Sequence, residues 1–320
     1  MEESITIVLD SRDVLSGVCG VNDGNLRMLE RFLGGRVNTR GNEIRFEGAD
    51  PAGVRRFKRM IHSLITAVED GEAPSPEYVR ALAVVQDHPP GACAGADLMR
   101  EALIHIPQGF NNVFPRTRNQ AAYILGMRSR DICFCVGPAG TGKTFLAIAE
   151  ALSLVLSKKM RKLVLTRPVV EAGESLGFLP GDLIQKINPY LRPLYDAMES
   201  LIPFEMIRRM EEDHRIEIAP LAYMRGRSLN NCVIILDEAQ NTTKEQMKMF
   251  LTRLGEQARA VITGDATQID LPKRIDSGLL HAVSILAAVE GIQITYFHTG
   301  DVVRNPLIKK IIQAYDNEQP

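Results

Sequence analysis

GPAGTGKT, residues 137–144, is the stretch from which the rest of the chain is read. It fits the spacing G-x-x-x-x-G-K-[ST], with an apolar run, ICFCV, before it and a helical stretch, KTFLAIAEALSLVL, after it. Only in that setting do loop amides and a helix N-terminus converge on one anion, as a bound triphosphate requires. Gly137, Gly140 and Gly142 let the backbone approach phosphate, and Pro138, Ala139 and Thr141 complete the cradle. Lys143 is expected on the β- and γ-phosphates, and Thr144 is expected to hold Mg²⁺ through its hydroxyl. A chance match in a Gly-rich turn is the alternative, and the flanking strand and helix weigh against it.

Outward from this loop, six apolar runs alternate with helical segments: ICFCV, LVLT, IEIA, CVIILD, AVITG and QITYFH. That pattern predicts an α/β unit with a parallel sheet covered by helices on both faces. With 320 residues, 45% hydrophobic and 24% charged, the chain can bury a sizeable core and suits two domains better than one. A net charge of −1 gives no global attraction to nucleic acid or membrane, so any polyanion must be met by local patches. No apolar run reaches transmembrane length and the start, MEESITIVLD, is acidic, so no membrane partner and a cytoplasmic location are expected. The five cysteines, 19, 93, 133, 135 and 232, contain no C-x-x-C pair and read as small buried apolar residues.

Two further strand ends carry carboxylates. In CVIILDEAQN, residues 232–241, an apolar run leads into Asp237, placed to bind Mg²⁺ through its water shell. Glu238 follows, and a carboxylate beside the metal acid is placed to orient and deprotonate a water. A solvated strand-end pair is the bland alternative. In AVITGDATQIDLP, residues 260–272, the run ends in Gly264 and Asp265, with Gln268 placed to sense the γ-phosphate or its water.

Taken in order, GPAGTGKT, TRPVVEAGESLGFLPGD (166–182), VIILDEAQNTT, TGDATQIDLP and DVVRNP resemble the PhoH family of P-loop ATPases, relatives of the superfamily 1 helicase core. The resemblance runs from about Phe110 to Tyr315. It implies a RecA-like ATPase that uses ATP and Mg²⁺ in RNA metabolism, in a bacterial cytoplasm. The partners it implies are single-stranded RNA, a ribonuclease or ribosome-associated protein, and copies of the chain itself in a homo-oligomeric ring such as a hexamer. It also likens Gln120 to the glutamine with which helicase-like ATPases read the adenine edge, Tyr123 or Phe114 stacking on the base. An exposed helix-start glutamine is the equal alternative.

The second block sits where helicases of that superfamily touch the nucleic-acid backbone. Thr166, Arg167 and the amides near Gly173 and Gly177 could take phosphates, whereas Glu171 and Glu174 repel a polyanion unless they pair elsewhere. The loop reads as a coupling element, with a purely structural loop as the alternative. After residue 108 about 210 residues remain, enough for one α/β unit. A helicase core of this kind takes a catalytic arginine from a second unit, so Arg304 in DVVRNP and Arg253 in FLTRLG are candidates to act across a subunit interface. Surface salt bridges are the alternative for both.

The first seventy residues read β-α-α-β-β-α, ending in a helix with Val54, Phe57, Ile61, Leu64 and Ile65 on one face. This small α+β unit resembles a type I KH domain, whose G-x-x-G loop clamps single-stranded RNA. In GVNDGNL, Gly20 takes the first glycine position but Asp23 the second, where a carboxylate weakens phosphate binding and suits a helix N-cap. The expected division is 1–70 for the KH-like unit, 71–107 for a linker with a short helix, and 108–320 for the RecA-like ATPase. The function expected is Mg-dependent ATP hydrolysis coupled to RNA remodelling, helicase-like or in support of a ribonuclease. An ATP-gated protein-docking module is the rival, and a small-molecule kinase the third reading, weakened by Glu238.

Overall fold

The computed structural model describes residues 3–48, 50–69, 73–86, 98–107, 110, 112–168, 183–272 and 274–303. The chain falls into two compact units, Met1–Ala102 with Phe114–Arg118, and Leu103–Val113 with Asn119–Pro320.

The first unit runs β1 (Glu3–Val8), α1 (Arg12–Cys19), α2 (Gly24–Leu33), β2 (Arg36–Arg40), β3 (Glu43–Gly48) and α3 (Pro51–Glu69), the order expected from its apolar periodicity. Its antiparallel sheet has the order β1-β3-β2, and Phe46 of β3 lies opposite Ile5 and Val37. Phe46 stacks on Phe57 of α3 at 4.8 Å between ring centres, and Phe57, Ile61 and Leu64 are fully buried. Ser11 caps α1 by accepting from the Val14 amide at 3.1 Å. Asp23 precedes α2 in the left-handed region, φ 55°, and makes no side-chain cap bond, contrary to the capping role expected of it. A side chain capping from this position normally comes from an extended backbone, and the left-handed one aims it elsewhere.

The short helix expected within 71–107 is present and packs into the first unit. Helix α4 (Pro76–Gln86) turns Tyr78, Val79 and Ala83 into the first unit's core. Leu103–Val113 belongs to the second unit, where Ile104 pairs with Val113 and Ile104 and Ile106 are fully buried. Both pieces carry enough apolar surface to be drawn out of solvent, which a Pro- and Gly-rich composition masks.

The second unit is built on six parallel strands: β4 (Ile132–Val136), β5 (Lys162–Arg167), β6 (Ile216–Pro220), β7 (Cys232–Leu236), β8 (Arg259–Gly264) and β9 (Ile292–Tyr296). Their order is β6-β5-β7-β8-β4-β9, all pairings parallel, giving the expected α/β, RecA-like sheet. Helices α5 (Arg118–Ser129), α6 (Lys143–Leu156), α7 (Leu183–Glu199), α8 (Phe204–Glu212), α9 (Lys244–Leu251) and α10 (Gly278–Leu286) accompany it. Phe134, Ile234, Leu236 and Ile262 on one sheet face form a core with Phe250 of α9 and Leu279 of α10, while α6 packs against β5, β7 and β8. Thr243 and Gln246 close a capping box at the start of α9. Cys133 and Cys232 are buried within strands, and burial pushes their thiols up to about 12 and about 11, which leaves them inert packing residues. Among the described residues no helix is long and apolar enough to cross a membrane.

Candidate nucleotide-hydrolysis site

The strand order sets the site. β8 lies between the P-loop strand β4 and the acidic strand β7, and Val136 pairs with Gly264 as Leu236 pairs with Ile262. The residues that follow β4, β8 and β7 therefore emerge side by side at the carboxyl edge of the sheet, where open α/β folds bind ligands. They line a cavity of about 260 Å³ whose walls include Gly140, Lys143, Thr144, Asp237, Glu238, Asp265 and Gln268.

At the mouth of α6, Gly142 takes φ 84°, a left-handed conformation suited to glycine, and no side chain caps the helix. The first-turn amides are thus left to an incoming anion. Lys143 folds back on the loop, its Nζ donating to the carbonyls of Gly137 at 2.7 Å and Pro138 at 2.9 Å. Burial lowers its pKa, and the neighbouring Cys135, Asp265, Asp237 and Glu238 pull in the opposite direction. A buried ammonium whose hydrogen bonds go to neutral carbonyls gains from a phosphate.

The acids occupy three distinct settings. Asp237 Oδ1 accepts from the hydroxyls of Thr144 at 2.7 Å and Thr263 at 2.8 Å, and its amide donates to the Thr166 carbonyl at 2.9 Å. Asp265 accepts from the P-loop amide of Ala139 at 3.0 Å and from Thr267. Glu238, in the left-handed region at φ 52°, has Oε1 2.9 Å from the Arg167 guanidinium and Oε2 2.5 Å from the Gln240 amide nitrogen.

The convergence of a hydroxyl and a carboxylate, Thr144 and Asp237, is a hard-oxygen pair suited to Mg²⁺. Among the described residues no three His, Cys, Asp or Glu side chains gather to hold a metal by themselves. The donor set therefore fits an ion whose remaining ligands are water and substrate phosphate, the usual habit of Mg²⁺.

The family description PhoH-like protein matches residues 112–316. A PhoH-like protein of Mycobacterium leprae is 46% identical over 95% of this chain and 86% of its own length. The chain belongs to the PhoH family. A PhoH-like protein of Bacillus subtilis is 42% identical over 97% of this chain and 96% of its own length. Among solved structures, the Pif1 helicase from Candida albicans aligns at 15% identity and a TM-score of 0.34, over 62% of this chain and 42% of that one, too slight a likeness to argue from. Family and site together make this PhoH-like chain a P-loop ATPase.

The remaining expectations fare unevenly. Gln120 is not an exposed helix-start residue: it is buried, and its amide nitrogen donates to the Thr141 carbonyl of the P-loop at 2.9 Å. Tyr123 cannot stack on a base, because it is fully buried edge-on to Phe297. Phe114 packs edge-on against Tyr78 in the first unit. Thr166 is fully buried, so its hydroxyl does not reach a polyanion. Residues 169–182, with Glu171, Glu174 and Asp182, and Arg304 lie outside the described residues. Just before Arg304, the Val303 amide donates to the Gly140 carbonyl of the P-loop at 2.9 Å, and Asp301 accepts from Asn119 at 2.8 Å. The carbonyl of Arg253 accepts from the Leu229 amide ahead of β7, so Arg253 lies at the amino edge of the sheet. Its own P-loop is a full strand away, roughly 17 Å.

Sequence reading missed Gln240. It is fully buried, its oxygen accepting from the Asp265 amide at 3.0 Å while its nitrogen donates to Glu238 and to the Gln268 carbonyl at 3.1 Å. Gln240 sits within the quoted DEAQN stretch, yet two of its three partners, Asp265 and Gln268, lie more than twenty residues on, and nothing local signals them.

Proposed function

We propose that this chain is a Mg-dependent ATPase that couples hydrolysis to the remodelling of single-stranded RNA. The observation that carries the hydrolytic part is the placing of Glu238 next to the Thr144–Asp237 pair on the cavity that Lys143 lines. The P-loop backbone from Gly137 to Thr144 would hold the phosphates. Lys143 would exchange its two carbonyl partners for β- and γ-phosphate oxygens, and Gln120 would brace the loop from behind. Thr144 and Asp237 would hold Mg²⁺, which when bound neutralises phosphate charge. Glu238 would take a proton from the attacking water as the water oxygen bonds to the γ-phosphorus and ADP leaves, with Gln268 near that water.

The RNA part is supported by the resemblance of the motif series to a superfamily 1 helicase core and by the β-α-α-β-β-α order of the first unit, which is KH-like. The proposed setting is the cytoplasm, as a homo-oligomeric ring serving a ribonuclease or a ribosome-associated protein. Arg253, remote from its own P-loop and with its Nε buried without a hydrogen bond among the described residues, is proposed to complete a neighbour's site. Arg304 is proposed for the same task or for the γ-phosphate of its own.

The deciding experiment is ATP hydrolysis by the purified chain with and without single-stranded RNA at low salt, where phosphate contacts are strongest. Turnover stimulated by RNA is expected. Lys143→Ala should abolish it and Glu238→Gln should bind ATP without cleaving it. Unstimulated turnover would point instead to an ATP-gated docking module. That second reading draws on Asp23 at the lip of the helix-linking loop, beside an exposed Val21, a pairing better suited to protein than to phosphate.

A further inference from the structure

A carboxylate that abstracts a proton from water must present a lone pair in one direction, and a glutamate side chain has three torsions with which to lose it. Glu238 is held at both oxygens, once from its own turn and once from a neighbouring strand. Gln240, two residues on, takes Oε2 from within the same turn. Arg167, the last residue of β5, takes Oε1 with its guanidinium at 2.9 Å. The placement of Arg167 follows from the main chain: Thr166 pairs with Leu236, and the Asp237 amide donates to the Thr166 carbonyl, so the residues after each sit side by side. The Arg167 side chain is 20% exposed and that of Glu238 34%, so the pair is partly shielded from the screening that weakens surface salt bridges.

We propose that Arg167 is a positioning residue for hydrolysis, fixing the plane of the Glu238 carboxylate so that its free lone pairs face the cavity that holds the γ-phosphate. This rests on the reading of Glu238 as the base. In this role Arg167 acts through Glu238 and touches neither ATP nor the attacking water. It also ties the end of β5, from which the chain enters the TRPVVEAGESLGFLPGD segment, to the hydrolytic step.

The test uses the full-length chain and four variants: Arg167→Gln, Arg167→Lys, Glu238→Gln, and the double Arg167→Gln with Glu238→Gln. Steady-state and single-turnover hydrolysis are measured beside the affinity for a fluorescent ATP analogue, which reports whether each variant is folded and binding. Arg167→Gln is expected to lower kcat about 30-fold, as misplacement of a reacting group does, with KM and analogue affinity within about twofold of the parent. Arg167→Lys keeps the charge without the planar fork and should recover part of the loss; it also serves should Arg167→Gln fail to fold. The double variant should be no slower than Glu238→Gln, since one residue acts through the other. A parental or raised kcat in Arg167→Gln, a change confined to KM, or losses that multiply in the double variant would each overturn the proposal. If the parent chain hydrolyses no ATP, or Glu238→Gln turns over normally, it is the assignment of the base that falls; if Glu238→Gln is dead and Arg167→Gln is unaffected, only the role of Arg167 falls.

Discussion

Gln240 shows how much one buried amide can hold in place. Its oxygen and nitrogen meet Asp265, Glu238 and Gln268, and Asp265 in turn caps the P-loop at Ala139, so a single side chain links the P-loop to the Glu238 carboxylate. Gln240→Ala should leave the Asp265 amide buried without an acceptor, at a cost of about 1–3 kcal/mol in urea denaturation. It should also lower kcat more than it raises KM, a split read from steady-state kinetics; an unchanged kcat would show that Glu238 needs no support from this side. Lys143, Thr144, Asp237 and Glu238 were legible because each sits in a contiguous motif at the end of an apolar run. The contacts of Gln240 with Asp265 and Gln268 and that of Arg167 with Glu238 were not, since they join segments brought together only by strand order.

At the scale of elements, close approach is what holds the site's strands and helices in register. Gly264, the last residue of β8, has room for no more than a hydrogen: a Cβ there would stand 2.4 Å from Leu279 Cδ2 and 2.8 Å from Gln240 Oε1. Gly264→Ala should therefore push α10 and the Gln240 amide outward. The expected result is a loss of about 1–3 kcal/mol and slower hydrolysis, checked by denaturation and turnover together. At the other edge, β6 is pinned through Glu217, which pairs with Arg227 and Lys162. The Arg227 hydrogen bonds, and then those of Lys162, pull the Glu217 pKa from 4.5 down to about 2. A depressed carboxylate stabilises the fold fully above about pH 4.5 and loses that contribution as pH falls towards about 2. Wild-type urea midpoints should thus fall more steeply over that interval than those of Glu217→Gln. The six strands were readable in advance because parallel strands buried on both faces are near-continuous apolar runs. A short helix within 71–107 was readable too, but not that it turns Tyr78, Val79 and Ala83 into the first unit's core, because Pro- and Gly-rich neighbours made its segment look like a connector.

At the scale of the whole molecule, each compact unit has a core cluster of its own among the described residues, which predicts that each can lose stability by itself. Ile61 is fully buried in the first, and Ile61→Ala should destabilise that unit by about 3 kcal/mol. Hydrogen exchange should show faster opening of α3 with protection of β4 and β7 by ATP unchanged; loss of that protection would mean that the two units unfold as one. If Arg253 completes a neighbour's site, an Arg253→Ala chain mixed with a Glu238→Gln chain should recover part of the activity that neither shows alone, and a mixture as inactive as its components would remove Arg253 from catalysis. By itself the sequence determined the phosphate loop, the two adjacent acids, the six strands and the order of the first unit, because each is written in neighbouring residues whose spacing matches a local geometry. Tertiary structure alone decided that β8 lies between β4 and β7, that Gln120 and Tyr123 are buried behind the P-loop, and that Arg167 meets Glu238. Those outcomes depend on which strands pair, and pairing is chosen by the packing of the whole sheet and its helices.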